Sequence, residues 1–149
     1  MRDTNRSSDM DLIDDVDIYV KAAVGRKASV PVVLDLRGLT SVADVFIICS
    51  GRSNRQVSAI AEHIERELKD KKIRPLSVEG MKEGHWVLMD YGHIIIHVFY
   101  DPIRSFYNLE GLWADAQRLK TPSMPEAEVS ADNYIHEDTE PEDEEDDDA

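Results

Sequence analysis

The segment Val45–Ser50 begins with five consecutive apolar residues. As a strand, this run would place apolar side chains on both faces of a sheet, because successive side chains point in opposite directions. Both faces must then be covered, as they are in sheets with helices on each side. A second β-branched run, Val30–Leu36, precedes it across a turn at Gly38. The chain is therefore expected to form an α/β layer structure.

Two segments carry apolar residues at the three- and four-residue spacing of amphipathic helices. The first begins at Asp9 or Asp11 and ends near Gly25, and its stripe comprises Leu12, Ile13, Val16, Val20, Ala23 and Val24. The second begins at Ser53, which stands at capping-box distance from Gln56. Its stripe comprises Val57, Ile60, Ala61, Ile64 and Leu68.

Further strands are expected after the second helix. Residues 74–78 form a short strand, and residues 86–91 and 94–100 form an antiparallel hairpin around Gly92. With the two earlier segments this gives about five strands. The length of 149 residues suits a single domain.

A last helix is predicted from Asp101 as the N-cap, with Pro102 at the first helical position. Gly111 is a potential point of division. The apolar face of this helix comprises Phe106, Leu109, Leu112, Trp113 and Ala116.

Charge is distributed unevenly along the chain. Residues 121–149 hold 13 of the 31 acidic residues and none of the 17 basic ones, so residues 1–120 have a net charge of −1. We expect residues 1–8 and the acidic tail at 121–149 to be disordered, with the folded domain at 9–120. A nearly neutral body lacks the basic face of a nonspecific nucleic-acid binder, so nucleic acid is disfavoured as the main partner.

The single cysteine, Cys49, lies in the apolar run and is expected to be buried in a reducing compartment. The acidic N-terminus is unlike a targeting peptide, and no apolar run reaches the ~20 residues that span a bilayer. A cytoplasmic protein without membrane contact is expected.

Enzyme interpretations find little support. The turn Gly51–Arg55 resembles a nucleophile elbow or phosphate cradle, but it lacks the second glycine and the P-loop lysine. Nucleotidyl transfer needs carboxylates on the following strands, where only Asp90 is available. His93 and His97 lie ~13 Å apart on a strand, too far to chelate one metal by themselves. We expect no catalytic residue, cofactor or metal.

A protein interface is favoured on the hairpin and the helix after it. Aromatic and charged residues of the kinds enriched at interface centres occur there: Trp86, Asp90, Tyr91, Arg104 and Tyr107. For Trp86 and Tyr107, packing in the core remains an open alternative. His97 is interpreted as a hydrogen-bonded structural residue. Residues 69–74 are interpreted as a solvated helix end, with RNA contact as the alternative, and exposed strand edges leave homodimerisation open.

From Leu34 to Trp113 the sequence resembles the ribosomal silencing factor family, also called Iojap-like proteins. Several motifs match in the family's order and near its spacing: Leu34–Leu39, Ala43–Gly51, Ser53–Val57, Val78–Gly80, Trp86–Gly92, His97–Phe99, Arg104–Glu110 and Leu112–Trp113.

The resemblance implies a mixed sheet flanked by helices, related to the nucleotidyltransferase fold but without its catalytic carboxylates. It also implies binding to a protein of the large ribosomal subunit near the intersubunit face, which blocks joining of the small subunit and represses translation when nutrients are scarce. Ribosomal RNA would be at most a peripheral contact. Glu79, in a matched motif, joins the expected partner-binding residues. The long acidic tail departs from the family's usual short C-terminus.

Overall fold

The computed structural model describes the backbone of residues 2–125 and the side chains from residue 10 onward, so residues 126–149 of the predicted tail lie outside the described residues. The helices are α1 (Arg2–Val24), α2 (Asn54–Asp70), α3 (Asp101–Tyr107) and α4 (Leu109–Leu112). The strands are β1 (Val32–Asp35), β2 (Val45–Gly51), β3 (Ser77–Glu79), β4 (Trp86–Asp90), β5 (Ile94–Tyr100) and β6 (Gln117–Leu119).

The strands form one mixed sheet in the order β3-β4-β5-β2-β1-β6. β2 and β5 pair in parallel, and the other neighbours are antiparallel. All seven residues of β2 are buried, which confirms the strand covered on both faces. Cys49 is buried within it, and burial raises the pKa of its thiol to about 12.

The sheet has six strands where the sequence predicted about five. The additional strand, β6, pairs antiparallel with β1 and brings Leu119 opposite Val33. Gln117 and Arg118 are exposed. A three-residue edge strand with two exposed polar residues has no apolar alternation to mark it in a sequence. β3 and β6 form the two edges of the sheet, and the homodimerisation that the sequence left open remains untested.

α1 begins at Arg2, whereas the sequence predicted disorder over residues 1–8 and a start at Asp9 or Asp11. A polar segment can continue a helix whose later residues are packed against the core, because adding residues to an existing helix costs much less free energy than starting a new one. The predicted stripe is confirmed at Val16, Val20 and Ala23, all buried. His93 Nε2 lies 2.7 Å from Asp15 Oδ2, which links α1 to the β4–β5 turn.

α2 has the predicted stripe, with Val57, Ile60, Ala61, Ile64 and Leu68 all buried. Ser53 Oγ accepts a hydrogen bond from the backbone N–H of Gln56 at 3.0 Å. Gln56 Oε1 accepts from the backbone N–H of Arg52 at 2.6 Å, one residue before the partner that a capping box would give it.

The predicted hairpin is confirmed in β4 and β5, with Trp86 opposite Phe99 and Asp90 opposite Ile95. Its turn is closed by Asp90 Oδ1, which accepts from the backbone N–H of Gly92 at 2.8 Å. Gly92 has a φ of +95°, a conformation that glycine adopts without strain.

The last predicted helix is two helices, and the break is at Asn108 rather than Gly111. Asn108 is left-handed, with φ 49° and ψ 59°, and its side chain caps the N–H of Gly111. Asparagine tolerates this conformation better than most residues. Tyr100 is the N-cap of α3, so Asp101 lies in the first turn and is not the cap that the sequence suggested.

The start of the predicted tail belongs to the folded body. Thr121 is buried and Met124 packs against the core beneath α1. Asp17 accepts two 2.8 Å hydrogen bonds from Ser123, one from its backbone N–H and one from its hydroxyl. The domain boundary predicted after residue 120 is therefore at least four residues too early, because the sequence does not show that a carboxylate on α1 anchors this segment. We call residues 121–125 the C-terminal strap.

Across residues 2–125, each helix is too short or too polar to cross a membrane.

A candidate interaction surface

The two faces of the sheet are covered unequally. α1 and α2 pack over one face, which contains the larger apolar cluster, including Ile47, Met89 and Ile96. Among the described residues, the helices over the other face are the short α3 and α4, neither of which has a buried residue, and Leu36, Ala43 and Ala116 also pack there. On β4, Trp86 and Leu88 are accordingly only half-buried, which leaves this part of the second face open to a partner.

An aromatic cluster occupies the open face. The ring of Trp86 lies 4.8 Å from Phe99, 4.9 Å from Tyr107 and 5.9 Å from His97, measured between centroids. The Phe106 ring contacts Tyr107 at 5.1 Å. Phe106 and Tyr107 are 78% and 50% exposed. We call Trp86, Phe106 and Tyr107 the aromatic patch.

His97 orients Trp86 from below. Trp86 Nε1 donates a hydrogen bond to His97 Nδ1 at 3.1 Å, so the neutral imidazole must carry its proton on Nε2. Burial lowers the pKa of His97 to about 4, and the ring is neutral at physiological pH. The buried Nε2 has no hydrogen-bond partner among the described residues. The prediction of a hydrogen-bonded structural histidine is confirmed.

The backbone approaches Trp86 closely on its other side. A side chain at Gly80, which has a φ of +88°, would collide with the carbonyl oxygen of Trp86. Glycine at this position therefore lets the loop after β3 lie against the start of β4.

The acidic residues predicted for the site lie at its margin. Glu79 is exposed and pairs in register with Leu88, so its side chain shares the face of the aromatic patch. Asp90 lies on the same face, opposite Ile95. One oxygen of its carboxylate already accepts a hydrogen bond in the hairpin turn, which leaves fewer acceptor positions for a partner.

Tyr91 does not belong to this surface, and the structure corrects the sequence prediction. It is buried on the opposite side, where its ring contacts Tyr19 at 5.4 Å. Burial raises the pKa of its phenol. Tyr91 follows Val87 and Met89 at two-residue spacing on the face opposite Trp86, so the alternation of the predicted strand was the signal that could have placed it.

Arg104 is also engaged within the protein. Its Nε and Nη2 donate to Glu110 Oε2 at 3.0 and 2.7 Å. Its Nη1 donates to the hydroxyls of Ser29 and Ser50, both at 3.1 Å. These internal hydrogen bonds occupy most of the guanidinium, so Arg104 has less to offer a partner by direct contact than the sequence suggested.

Phe106 and Leu112 were predicted on a buried helical face, but they are 78% and 71% exposed. The break at Asn108 rotates α4 relative to α3, so one continuous stripe cannot face the sheet. Leu109 and Trp113 remain half-buried against the core. Asn108, a common N-cap residue type, was the available signal for this change.

In the described part of the chain, no group of three or more His, Cys, Asp and Glu side chains is placed to hold a metal ion. Asn54 and Arg55, at the turn Gly51–Arg55, line a surface cavity together with Glu62 and Lys82. His93 pairs with Asp15 and His97 accepts from Trp86, so the two histidines serve separate contacts.

Fold and surface together define a class: a single-domain α/β protein with a mixed six-stranded sheet, one face of which is left partly open around an aromatic patch. The sequence profile described as "Ribosomal silencing factor during starvation" matches residues 9–148. The chain belongs to the family of ribosomal silencing factors. This confirms the resemblance noted in the sequence, and the match extends through most of the acidic tail.

Similar proteins agree with this assignment. Ribosomal silencing factors RsfS from Halalkalibacterium halodurans and Bacillus subtilis are 39% and 42% identical over 103 and 99 residues. These matches cover 69% and 66% of this chain, and 88% and 84% of the relatives. A mouse protein named for mitochondrial assembly of the ribosomal large subunit is 28% identical over 102 residues, with 66% of this chain and 45% of that protein covered.

A crystal structure of a Chromobacterium violaceum protein matches with a TM-score of 0.65 at 32% identity, covering 72% of this chain and 88% of that one. The single-domain α/β fold is confirmed. The further relationship to nucleotidyltransferases remains a prediction.

Proposed function

We propose that this protein is a ribosomal silencing factor that acts by binding and not by catalysis. It docks on a protein of the large ribosomal subunit near the intersubunit face, keeps the small subunit from joining, and represses translation when nutrients are limited. Family membership supports the silencing role. The name of the mouse relative supports the large subunit as the partner.

The aromatic patch is the observation that carries the proposal for the docking site. Exposed aromatic rings are over-represented among residues that dominate binding energy. Trp86 is held in place by its hydrogen bond to His97, and its ring contacts Tyr107. A preorganised patch loses little side-chain freedom when it binds, so more of its contact energy appears as affinity.

A steric mechanism needs only size and a fixed anchor. A domain of about 110 residues measures roughly 30 Å across, enough to separate two docking surfaces at their junction. An interface of ~1,600 Å² provides specific anchoring, with the aromatic patch at its centre and Glu79 at its margin.

Ribosomal RNA contributes at most a peripheral contact in this proposal. The basic residues of 69–74, namely Lys69, Lys71, Lys72 and Arg74, are exposed at the end of α2, which packs over the other face of the sheet. The aromatic patch carries no basic residue. We place the protein in the cytoplasm with the ribosomes it would silence.

Sedimentation with separated ribosomal subunits tests the proposal. The protein should migrate with the large subunit and reduce formation of joined ribosomes when small subunits are added. Met10→Ser is a suitable control, because Met10 is 64% exposed on α1, over the opposite face. Migration with the small subunit alone, or with neither subunit, would contradict the proposal.

A further inference from the structure

The orientation of α3 and α4 must be fixed by contacts other than apolar packing. They carry the exposed Phe106 and Tyr107, yet neither helix has a buried residue. Their apolar attachment consists of half-buried side chains, from Ile103, Leu109 and Trp113. Partial packing of this kind holds α3 and α4 against the sheet. It does not fix how each helix is rotated about its own axis, because apolar attraction has no direction.

Arg104 supplies directional contacts across four segments. It lies on α3, and its guanidinium reaches Glu110 on α4, Ser50 on β2 and Ser29 in the loop before β1. The side chains of Arg104 and Glu110 are each only 17% exposed. A planar guanidinium with fixed donor directions determines the positions of all these groups together.

Ser29 and Ser50, the two serines that Arg104 contacts, are also hydrogen-bonded to each other. Ser29 Oγ accepts from the backbone N–H of Ser50 at 2.9 Å and from Arg104 at 3.1 Å, which uses both of its lone pairs. Its own proton must then point to Ser50 Oγ, 2.9 Å away. The backbone N–H of Ser29 donates to the carbonyl oxygen of Ser50 at 3.0 Å, which fixes the loop to the strand.

The backbone of Arg104 completes the attachment. Its carbonyl oxygen accepts from the N–H of Asn108 at 2.8 Å, at the left-handed residue where α3 ends and α4 begins. Four of the five guanidinium N–H groups are engaged within the protein, which leaves one for any other contact.

We propose that Arg104 is a positioning residue for the docking surface: it fixes α3 and α4 against β2 so that Tyr107 lies against Trp86 and Phe106 against Tyr107. This inference rests on the proposed function. It assigns to Arg104 an indirect role in binding, in place of the direct contact expected from the sequence.

Ser50 gives the sharpest test, because it is 3% exposed and cannot touch a partner. We expect Ser50→Ala and Arg104→Lys to weaken binding to isolated large subunits by about tenfold while the protein stays folded, with a melting temperature lowered by only a few degrees. Ser29→Ala should act in the same direction, whereas Ser29→Thr keeps the hydroxyl and should bind like wild type. Arg66→Lys, on the exposed side of α2, is the matched control.

Two further measurements separate positioning from contact. Amide hydrogen exchange of free protein should quicken at residues 105–113 in Ser50→Ala and Arg104→Lys and stay unchanged in Arg66→Lys. A double-mutant cycle combines Arg104→Lys with Tyr107→Ala. The double variant should lose less affinity for the large subunit than the product of the two single fold-losses, because Arg104→Lys already misplaces Tyr107.

Unchanged exchange at residues 105–113, together with wild-type binding by Ser50→Ala and an additive Arg104–Tyr107 cycle, would overturn the positioning role. Failure of wild-type protein to bind large subunits would instead contradict the proposed function. The exchange measurement needs no ribosome, so it decides the positioning of α3 and α4 in either case.

Discussion

Phe106 leaves 78% of its surface in water. Burying such a side chain is worth about 1.5–3 kcal/mol, so the isolated domain gains little stability from a phenylalanine here. Its contact with Tyr107, and through that ring with Trp86, makes it part of a continuous aromatic surface. A partner that covers this surface would recover the unused burial energy.

Phe106→Ser is expected to weaken binding to the large subunit by about tenfold or more, in line with the >1 kcal/mol typical of interface aromatics. Its free energy of unfolding should change by less than about 0.5 kcal/mol, because the ring is mostly exposed. Titration of labelled protein with large subunits and urea denaturation measure the two effects. Equal losses of binding in Phe106→Ser and Met10→Ser would remove Phe106 from the docking surface.

His97 makes the stability of the domain depend on pH. Burial lowers its pKa in the folded state to about 4, from the 6.5 that is usual for a histidine in water. Above pH 6.5 the ring is neutral whether the protein is folded or unfolded. As the pH falls from 6.5 towards 4, the unfolded chain binds a proton that the folded protein resists, so stability is lost.

We expect His97 to contribute a loss on the order of 3 kcal/mol between pH 6.5 and 4. His97→Leu should remove this part of the pH dependence, although it also removes the acceptor of the Trp86 hydrogen bond. The relevant quantity is therefore the slope of unfolding free energy against pH, not its value at one pH. Parallel slopes for wild type and His97→Leu would show that His97 does not titrate in this range.

At the scale of elements, Asn108 decides how the aromatic residues are presented. Its left-handed backbone ends α3, and its side chain accepts from the N–H of Gly111 at 3.1 Å to begin α4. The helix periodicity from Phe106 to Ala116 predicted a single stripe, and the break turns Phe106 and Leu112 to solvent. One residue's conformation thus changes which side chains are available for binding.

Asn108→Ala should destabilise the protein by about 1–3 kcal/mol, since alanine disfavours the left-handed region and also lacks the capping oxygen. Asn108→Gly loses only the cap, so it should cost less than the alanine substitution. Urea denaturation followed by circular dichroism compares them. Equal stability of the alanine and glycine variants would mean that the left-handed conformation is not required.

The elements themselves were largely predictable from the sequence. The stripe of α2 and the β4–β5 hairpin follow directly from apolar periods of 3.6 and 2 residues. β6 was missed, and the α3–α4 division was expected at Gly111 and not at Asn108, because neither feature is marked by a period. Pairing with β1 makes Gln117–Leu119 a strand, and nothing within those three residues does.

At the scale of the whole molecule, the C-terminal strap marks where the folded body ends. Burial raises the pKa of Asp17, but the two hydrogen bonds from Ser123 and the charge of Lys21 outweigh this effect and lower it. Met124 adds an apolar contact with the core. The acidic sequence that follows residue 125 therefore leaves from a segment that is itself anchored to α1.

Two truncations distinguish the strap from the tail. A chain ending at residue 125 should match full-length protein in thermal stability and bind large subunits within a few-fold, because the proposed docking surface is retained. A chain ending at residue 120 should unfold at a lower temperature, because it loses the Asp17–Ser123 bonds and the burial of Met124. If the chain ending at 125 failed to bind, the activity would not be confined to the folded body.

The sequence by itself determined the layered α/β fold, the two long helices, the hairpin and the family, because apolar periodicity and matched motifs are local properties of the chain. Only the tertiary structure decided that Tyr91 packs against Tyr19 and that Arg104 is bound within the protein. Each of these depends on segments that meet in space, at Tyr19 and at Ser29 and Ser50. Contacts between residues far apart in sequence leave no period along the chain, so no local pattern could reveal them.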